Sequence, residues 1–373
     1  MSLAQNLSLN YNYSLPLDIR HQIMRILHIA NYDLRAQGAK FHSIDFKIHH
    51  ALTRNGHFVY PFSYRDETRN ATPFRTRTLG IGRLQKKLIE ASNNLEPQLI
   101  LLAHSELVKT ETLRAIKKKF PSTKIAMYWV DPLWPKETRN YLISRMTIID
   151  TLFTTTGGNL LSNLQKEFLD KFPNKKLKTT VAYFPNPVDK AVESFHAYKK
   201  TDFSVGLLFC GRGAGSSDRK TWPSMLKKIL NEKFYYQGTL GKEPVMGMKY
   251  WNLILSATAG LNLSQRNDVT LYTSDRLSQL TGNGLPVITP KVPELELLFP
   301  NDSVVYVDSP EQAAKSFLEL EQDFLKRKKV GELGHYYAHS RLNSTRVAKY
   351  MIDVILKDSV ANDIEWKDHV FNA

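Results

Sequence analysis

The sequence predicts an α/β protein built from two parallel-sheet domains that face each other across a cleft. Its 373 residues exceed the length of one typical domain. Short apolar runs alternate with amphipathic stretches, which is the pattern of a parallel sheet flanked by helices. The alternation pauses over about residues 186–202 and then restarts, which indicates a second unit of the same kind.

The first unit is predicted to span residues 24–190, after a polar, asparagine-rich extension over residues 1–23. Its strand candidates are the runs MRILHIANYD, HFVYPFSY, QLILLAH, KIAMYWVDP and TLFTTT. The stretch AKFHSIDFKIHHALTRNG carries apolar residues near helical spacing, so we expect a helix that includes His42 and ends at Gly56.

The second unit is predicted to span residues 203–345, with strands at SVGLLFCG, KFYYQG, TAGLNLS, LPVITP and SVVYVD. Residues 346–373 are predicted to form a helix and tail that could pack back on the first domain. Ligands of open parallel sheets bind beyond the carboxyl ends of strands, so the loops after each strand are the places to look for a site.

The composition is that of a globular protein of the cytoplasm. Hydrophobic residues make up 42% and charged residues 23% of the chain. Cys210 is the single cysteine, which excludes an internal disulfide. No run reaches the roughly 20 apolar residues of a membrane span. The N-terminus does not show the pattern of a secretory leader.

The chain is strongly basic, with a formal net charge of +15. One interpretation is a solvated basic surface. The other is an anionic partner, such as a nucleic acid, an acidic glycan, an anionic lipid or a phosphorylated substrate. Because no zinc spacing, RNA-binding strand motif or basic zipper accompanies the charge, a nucleic acid is the least favoured of these.

The stretch LLFCGRGAGSSDRKTW (207–222) ends a strand in glycines at alternate positions, as a phosphate-binding loop would. Its spacing fits neither the Walker loop nor the dinucleotide fingerprint. A helix is predicted to follow, with Thr221 as its N-cap and Pro223 in its first turn. Flexible backbone and cations at a helix N-terminus favour an anion over a merely flexible loop. The residues concerned are Gly211, Arg212, Gly213, Arg219 and Lys220.

The segment 275–317, DRLSQLTGNGLPVITPKVPELELLFPNDSVVYVDSPEQAAKSF, resembles the donor-binding segment of glycosyltransferases with the GT-B fold. Gly284 and the following Pro-Val-Ile, the Pro-x-x-Glu loop at Pro293 and the strand ending at Asp308 carry the resemblance. Arg276 and the run YWVDP (128–132) resemble the branch of the spore protein CgeB. The resemblance implies two Rossmann-like domains.

This chain departs from the retaining members of that family at two positions. Those members carry two glutamates eight positions apart, and the matching residues here are Leu271 and Gln279. The second glutamate holds the ribose hydroxyls in the family. Gln279 can also hydrogen-bond a ribose, but whether the reaction retains or inverts the anomeric configuration stays open.

The resemblance implies that a nucleotide-sugar donor binds the second domain and that cations, without a metal ion, neutralise its diphosphate. Arg212, Lys220 and Arg276 are the predicted cations, with Arg219 as a rival for one of them. No Asp-x-Asp pair of the metal-dependent type occurs in the chain. Asn262 ends a strand near the predicted cleft, where it either contacts the donor or is ordinary strand-end polarity.

The acceptor is expected against the first domain, where an inverting enzyme needs a general base. Asp131 is the first candidate because it ends an apolar strand, although it could be a turn residue before Pro132. His104 is the second, and Ser105 beside it could be a helix N-cap. Gly38 either lets the first loop approach the donor or is a turn glycine.

The sequence therefore predicts a metal-independent glycosyltransferase that needs no cofactor besides its nucleotide-sugar substrate. The predicted acceptor is a glycan or glycoconjugate, such as a lipid-linked or phosphorylated cell-envelope glycan at the inner face of the membrane. The alternatives are an isomerase resembling the nucleotide-sugar 2-epimerases and a non-enzymatic bilobal binding protein. Fold alone does not decide between these activities.

Overall fold

The computed structural model of the chain describes residues 23–71, 77–212, 217–300, 302–357 and 363–373. It contains two sheets of mainly parallel strands with flanking helices, which confirms the predicted α/β fold class. Within these ranges, no helix is both long and apolar enough to cross a lipid bilayer.

Seven strands form the first sheet. They are β1 (Arg25–Ala30), β2 (Phe58–Ser63), β3 (Leu99–Ala103), β4 (Lys124–Trp129), β5 (Thr151–Thr154), β6 (Thr180–Tyr183) and β12 (Val370–Phe371). Their order across the sheet is β12-β6-β5-β4-β3-β1-β2, and all neighbours are parallel except β12 and β6. All residues of β3 are buried, as expected for a central strand covered on both faces.

The helices of the first domain lie between these strands. They are α1 (Ile44–Arg54), α2 (Tyr64–Asn70), α3 (Arg77–Leu95), α4 (Thr110–Lys119), α5 (Lys136–Arg145) and α6 (Gly158–Lys171). The expectation that His42 lies in the first helix is wrong. The Ser43 side chain caps α1 by accepting a hydrogen bond from the Phe46 N–H, so the helix begins one residue after Ser43.

The second sheet has five strands in the order β11-β10-β9-β7-β8. Its strands are β7 (Val205–Cys210), β8 (Phe234–Gln237), β9 (Ala257–Leu261), β10 (Val287–Pro290) and β11 (Val305–Val307). Its helices are α7 (Ser217–Leu230), α8 (Met248–Ser256), α9 (Asp275–Gly282), α10 (Pro310–Gln322) and α11 (Phe324–Arg341).

Helix α7 begins about one turn earlier than the sequence predicts. Its first described residue is Ser217, so Thr221 is not the N-cap and Pro223 lies inside the helix. Asp218 in the first turn complements the positive end of the helix dipole, which stabilises the earlier start. Because Pro223 has no backbone N–H, the Arg219 carbonyl lacks its usual hydrogen bond within the helix, and α7 continues past this missing bond.

Both sheets reverse their strand order at the same place in their topology. In the first sheet the reversal lies between β1 and β3, and in the second it lies between β7 and β9. Loops that leave such neighbouring strands in opposite directions open a crevice at the carboxyl edge of the sheet. Each domain therefore has one built-in place for a ligand.

The chain crosses between the domains twice. The first crossing follows β6, and the second leads into α12 (Ser344–Leu356), which packs against α1 and β5 before β12 joins the first sheet. The two crossings are bonded to each other. The Val188 N–H donates to the Leu342 carbonyl at 2.7 Å, and the Ser344 N–H donates to the Val188 carbonyl at 2.8 Å.

A buried ion pair joins α1 to the first crossing. The Lys47 Nζ lies 2.5 Å from the Glu193 Oε1, and both side chains are fully buried. Lys47 also donates to the Pro187 carbonyl at 3.1 Å. On the other side, a Cβ added to Gly282 of α9 would come within 2.9 Å of the Glu193 side chain, so the second domain packs directly on this pair.

We predict that Lys47→Met destabilises the protein by about 3–5 kcal/mol, because it leaves a carboxylate buried without its partner. Burial already raises the pKa of Glu193 to about 7. Without Lys47 the pKa rises further, so protonation relieves the defect at low pH. Urea unfolding should show a larger loss at pH 8 than at pH 6.

The matched control is Lys227→Met, which removes a pair with the exposed Glu232. Exposed pairs contribute at most about 1 kcal/mol, so this variant should unfold near the wild-type midpoint at both pH values. Equal losses for the two variants would contradict a structural role for the buried pair.

Candidate functional site

The loops at the two points of strand reversal open onto one cleft between the domains. Its larger cavity has a volume of about 520 Å³ and is lined from both sides. The first domain contributes Asp45, His104 and Asp131, and the second contributes Arg219 and Asp275. Acidic, basic and imidazole groups from both sheets therefore meet in one solvent-open space.

A smaller cavity of about 250 Å³ adjoins the larger one and is lined mainly by the second domain. The two share His42, Ser274 and Asp275, so they are compartments of one cleft. Gly211 and Arg276 lie on the wall of the smaller compartment. The cleft can therefore hold an elongated ligand that occupies both compartments.

Two buried arginines of the second domain converge on one carbonyl oxygen in this cleft. The Arg219 Nε donates to the Leu263 carbonyl at 2.7 Å, and the Arg276 Nη1 donates to the same oxygen at 3.3 Å. Their residues are only 8% and 7% exposed. Among the residues that the structure describes, neither forms an ion pair with a carboxylate.

Each of the two guanidiniums makes the charged form of the other less stable. Burial, and then the positive charge of Arg276, lower the pKa of Arg219 to about 10. Burial also lowers the pKa of Arg276. Two like charges in a desolvated site repel each other strongly. The arrangement is therefore suited to a bound anion, which would lower the free energy of both groups.

Glycine at position 211 is a requirement of this arrangement. A Cβ added to Gly211 would come within 2.0 Å of the Arg276 Nη2. The Arg276 Nε also donates to the Cys210 carbonyl, and its guanidinium lies 4.7 Å from the centre of the Phe209 ring. The glycine-rich loop thus lets the side chain of Arg276 lie directly against the end of β7.

The structure separates the predicted donor cations. Arg276 and Arg219 line the cleft, and the exposed Arg212 lines only the smaller compartment. Lys220 is exposed and lines neither compartment, so the structure does not bring it together with Arg219 and Arg276, and its role stays a prediction. Gly213 lies outside the described residues. Had α7 been predicted to start one turn earlier, Arg219 would have been placed on the buried face of the helix, because Trp222 on that face is three residues away.

Gln279 and Asn262 have different surroundings. Gln279 lines the smaller compartment, where its Nε2 donates to the Asp275 Oδ2 at 2.5 Å. Asn262 lines neither compartment. It is buried at the end of β9 and donates to the Thr289 hydroxyl at 3.1 Å, as the alternative of strand-end polarity expects.

The two predicted acid–base residues lie together in the larger compartment. The His104 Nδ1 is 3.6 Å from the Asp131 Oδ2. The Val130 N–H donates to the His104 Nε2 at 3.3 Å, so the proton of the neutral imidazole lies on Nδ1, facing Asp131. The side chain of Asp131 is 64% exposed. These two residues therefore form a polar pair at the open side of the cleft.

The backbone at His104 is strained. His104 and Ser105 have φ angles of 50° and 51°, in the left-handed region that non-glycine residues seldom adopt. The His104 ring stacks on Trp129 with the ring centres 4.0 Å apart, which holds it at the cavity wall. The interpretation of Ser105 as an N-cap is wrong, because α4 begins only at Thr110 and the Ser105 hydroxyl donates to the Ile29 carbonyl.

Gly38 does not line the main cleft. It lies in a left-handed turn with φ +86° and belongs to a separate cavity of about 190 Å³. Of the two interpretations of Gly38, the position in the structure fits that of a turn glycine. The long loop after β1 reaches the cleft through other residues, among them Asn31 and Lys40.

Sequence reasoning missed several residues of the cleft, among them His42, Asp45 and Asp275. His42 and Asp275 line both compartments, and the His42 Nδ1 and the Asp275 Oδ1 find no hydrogen-bond partner within the described ranges. Asp45 lies in the first turn of α1. The signal was Ser43, because a serine followed by an acidic residue two positions later is typical of a helix start.

Comparison with known proteins gives a family match within the second domain. A family model described as glycosyl transferase-like matches residues 212–353. The matched region contains both buried arginines and every strand of the second sheet after β7. No sequence among curated proteins matches the chain.

Solved structures share the fold over nearly the whole chain. A glycosyltransferase from Rickettsia africae is 11% identical, covers 91% of this chain and 100% of its own, and has a TM-score of 0.58. Sucrose-phosphate synthase from Thermosynechococcus elongatus is 13% identical, with coverages of 89% and 98% and a TM-score of 0.56. HepE from Anabaena, in complex with UDP and glucose, is 12% identical, with coverages of 89% and 99% and a TM-score of 0.55.

These likenesses confirm that the chain has the GT-B fold. The finer resemblance to the CgeB branch stays a prediction.

The environment of Cys210 gives a direct test of this geometry. Burial raises the pKa of its thiol to about 12. At pH 8 we expect a thiolate fraction about a thousandfold below that of an ordinary cysteine, and a correspondingly slow reaction with a disulfide reagent. Since the chain has one cysteine, the same sample unfolded in guanidinium is the control. An equally fast reaction in both states would contradict the packing at the end of β7.

Proposed function

We propose that this protein transfers a sugar from a nucleotide-sugar donor to an acceptor hydroxyl, with the donor diphosphate bound by Arg219 and Arg276. The observation that carries the proposal is the convergence of these two buried guanidiniums on the Leu263 carbonyl. A diphosphate offers the negative charge and the acceptor oxygens that two such groups need.

The comparisons support this choice of ligand. Both arginines lie inside the segment that matches the glycosyl transferase-like model. A structural neighbour of the same fold, HepE from Anabaena, is described in complex with UDP-glucose. A UDP-sugar is therefore the first donor to test, with a hexose as the proposed sugar.

The smaller compartment suits the nucleoside. Gln279 donates through its Nε2 to Asp275, which leaves its Oε1 free to accept a hydrogen bond from a ribose hydroxyl. The compartment continues into the larger one past Asp275 and His42. Because Arg276 lines the smaller compartment and Arg219 the larger one, the diphosphate would lie at the junction and the sugar beyond it, in the larger compartment. The proposed order along the cleft is therefore nucleoside, diphosphate and sugar.

The proposed reaction requires the second domain to stabilise the leaving group. When the bond from the anomeric carbon to the diphosphate oxygen breaks, the electron pair stays with the nucleoside diphosphate. Preorganised donors at that position lower the barrier because they need no reorganisation during the reaction. Arg219 and Arg276 can supply this charge stabilisation, so we propose transfer without a metal ion and expect turnover to continue in the presence of EDTA.

The acceptor would enter the larger compartment from the first domain. Lys40 and Arg65 line this compartment, although each also pairs with a carboxylate of its own domain. With the net charge of +15, these cations favour an anionic acceptor, such as a phosphorylated or lipid-linked glycan at a membrane surface. Asp131 and His104 stay predictions for the residues that act on its hydroxyl.

We expect UDP and UDP-sugars to raise the melting temperature of the protein. A ligand at a hundred times its Kd stabilises the native state by about 2.7 kcal/mol. The measurement is a thermal-shift panel of UDP, GDP, ADP and their sugars, followed by assay of nucleotide release. An isomerised nucleotide sugar among the products would favour the epimerase alternative, and binding without turnover would favour a binding protein. No shift with any member would contradict the proposal.

Arg219→Ala and Arg276→Ala should each lower kcat/KM for the UDP-sugar by about 10²–10³-fold, the usual loss when one preorganised donor is removed. Gly211→Ala should act in the same direction by displacing Arg276. Lys228→Ala, on the exposed face of the same helix as Arg219, is the control and should match wild type. Unchanged donor affinity and turnover in both arginine variants would show that the diphosphate binds elsewhere.

A further inference from the structure

Asp45 is a half-buried carboxylate at the wall of the larger compartment. Its Oδ2 accepts a hydrogen bond from the Asn31 N–H at 2.9 Å, and its Oδ1 accepts one from the Tyr128 hydroxyl at 2.6 Å. Burial raises the pKa of Asp45 in spite of these bonds, because fewer water molecules solvate its charge. A carboxylate of raised proton affinity beside an open cavity meets the first requirement of a general base.

A chain of hydrogen bonds continues behind Asp45 through the interior of the first domain. The Tyr128 hydroxyl lies 3.0 Å from the His28 Nε2. The other nitrogen of the ring, Nδ1, lies 2.8 Å from the Tyr32 hydroxyl. That hydroxyl is also 3.1 Å from the Nδ1 of His49, on α1. His28 is fully buried in β1.

Chemistry fixes the direction of every bond in this chain. An ionised Asp45 can only accept, so Tyr128 donates to it. The Tyr128 oxygen then accepts from the His28 Nε2–H, which leaves the His28 Nδ1 to accept from Tyr32. Burial lowers the pKa of His28 to about 3, so the ring is neutral and carries one proton. The Tyr32 oxygen completes the chain by accepting from His49, and all donors point towards Asp45.

The pair predicted from the sequence is less suited to be the base. The Nε2 lone pair of His104 already accepts from the Val130 N–H, and its Nδ1 carries the proton. The side chain of Asp131 is 64% exposed and lies 3.6 Å from His104, too far for a hydrogen bond that would hold it in one position. Asp45 is held by two bonds at defined oxygens.

We propose that Asp45 is the catalytic base of the transfer and that Tyr128 and His28 are the residues that position it. This inference rests on the proposed function. The acceptor O–H gives its proton to Asp45, the acceptor oxygen bonds to the anomeric carbon, and the bond from that carbon to the diphosphate breaks. The electron pair leaves with the nucleoside diphosphate, beside Arg219 and Arg276.

The layout of the cleft matches a single displacement. Asp45 lines the larger compartment from the first domain, and Arg219 lines it from the second. A base on one wall and the leaving group on the other place the acceptor and the diphosphate on opposite sides of the anomeric carbon. One displacement inverts that carbon, so the product of a UDP-α-sugar should carry a β linkage.

The groups that face Asp45 come from four elements of the first domain. Tyr128 on β4 donates to it, Asn31 after β1 donates through its N–H, and the more distant His104 and Arg65 favour its ionised form. Burial, and then the negative charge of Asp45, raise the pKa of the nearby Tyr32. Removing the hydrogen bond from Tyr128 would raise the pKa of Asp45 further, since that bond stabilises the carboxylate.

The first experiment uses the full chain with UDP-glucose, measuring nucleotide release with water as acceptor and UDP affinity by calorimetry. Asp45→Asn should lower kcat by about 10²–10⁴-fold, the usual contribution of a general base. It should leave UDP affinity and melting temperature close to wild type at pH 7. Asp170→Asn, an exposed carboxylate of α6 outside the cleft, is the matched control and should match wild type throughout.

The second experiment is the pH profile of kcat/KM for Tyr128→Phe. The base works when ionised, so activity falls at low pH, and a raised pKa moves that acidic limb to higher pH. A merely structural role for Tyr128 would lower activity without moving the limb. NMR of the released glucose gives the anomeric configuration that is first formed.

The outcomes separate this inference from the proposed function. If wild type binds no nucleotide of the panel and releases none from any of its nucleotide sugars, the proposed function fails, and the inference fails with it. If wild type turns over but Asp45→Asn keeps full activity, or Asp131→Asn alone abolishes it, only the assignment of Asp45 is overturned. Retention of configuration, or an unmoved acidic limb in Tyr128→Phe, would also overturn it.

Discussion

The buried ion pair between Lys47 and Glu193 is the interaction on which the geometry of the cleft depends. Lys47 lies two residues after Asp45 at the start of α1. Glu193 packs against Gly282, at the far end of the helix that begins with Asp275 and Arg276. One pair of charges therefore sets the position of a carboxylate in one domain relative to a guanidinium in the other. Because both partners are buried, water cannot replace either of them cheaply, and the spacing of the two walls is held by the cost of breaking the pair.

The second constraint is electrostatic and concerns the free protein. Arg219 and Arg276 share one carbonyl oxygen and repel each other in a site with little water. The folded protein keeps this unfavourable repulsion because the surrounding packing restricts the Arg276 side chain to one position. The contacts with Gly211 and Phe209 are the main part of that packing. Strained backbone and destabilised charges are found most often at functional sites. The left-handed backbone at His104 is a second example in the same cleft.

Much of the fold could be predicted from the sequence, and less of the site. Continuous apolar runs such as that of β3 identify central strands because both faces are buried. Arg219 and Lys220 could not be separated without the phase of α7, since neighbours on a helix point in directions about 100° apart. The surroundings of Asp45 were out of reach for another reason. Its partner Tyr128 is 83 residues away along the chain, and His28 is 100 residues from Tyr128, so only the folded sheet brings them together.

The two crossings between the domains determine how the second domain is connected to the rest of the chain. Since α12 and β12 return to the first domain, the second domain is an insertion within the first, held at both of its ends. A protease that cuts a single crossing would not release it. The isolated bridge between Val188 and Asn343 also ties the two crossings to each other, so a cut in one crossing would leave the other bonded beside it.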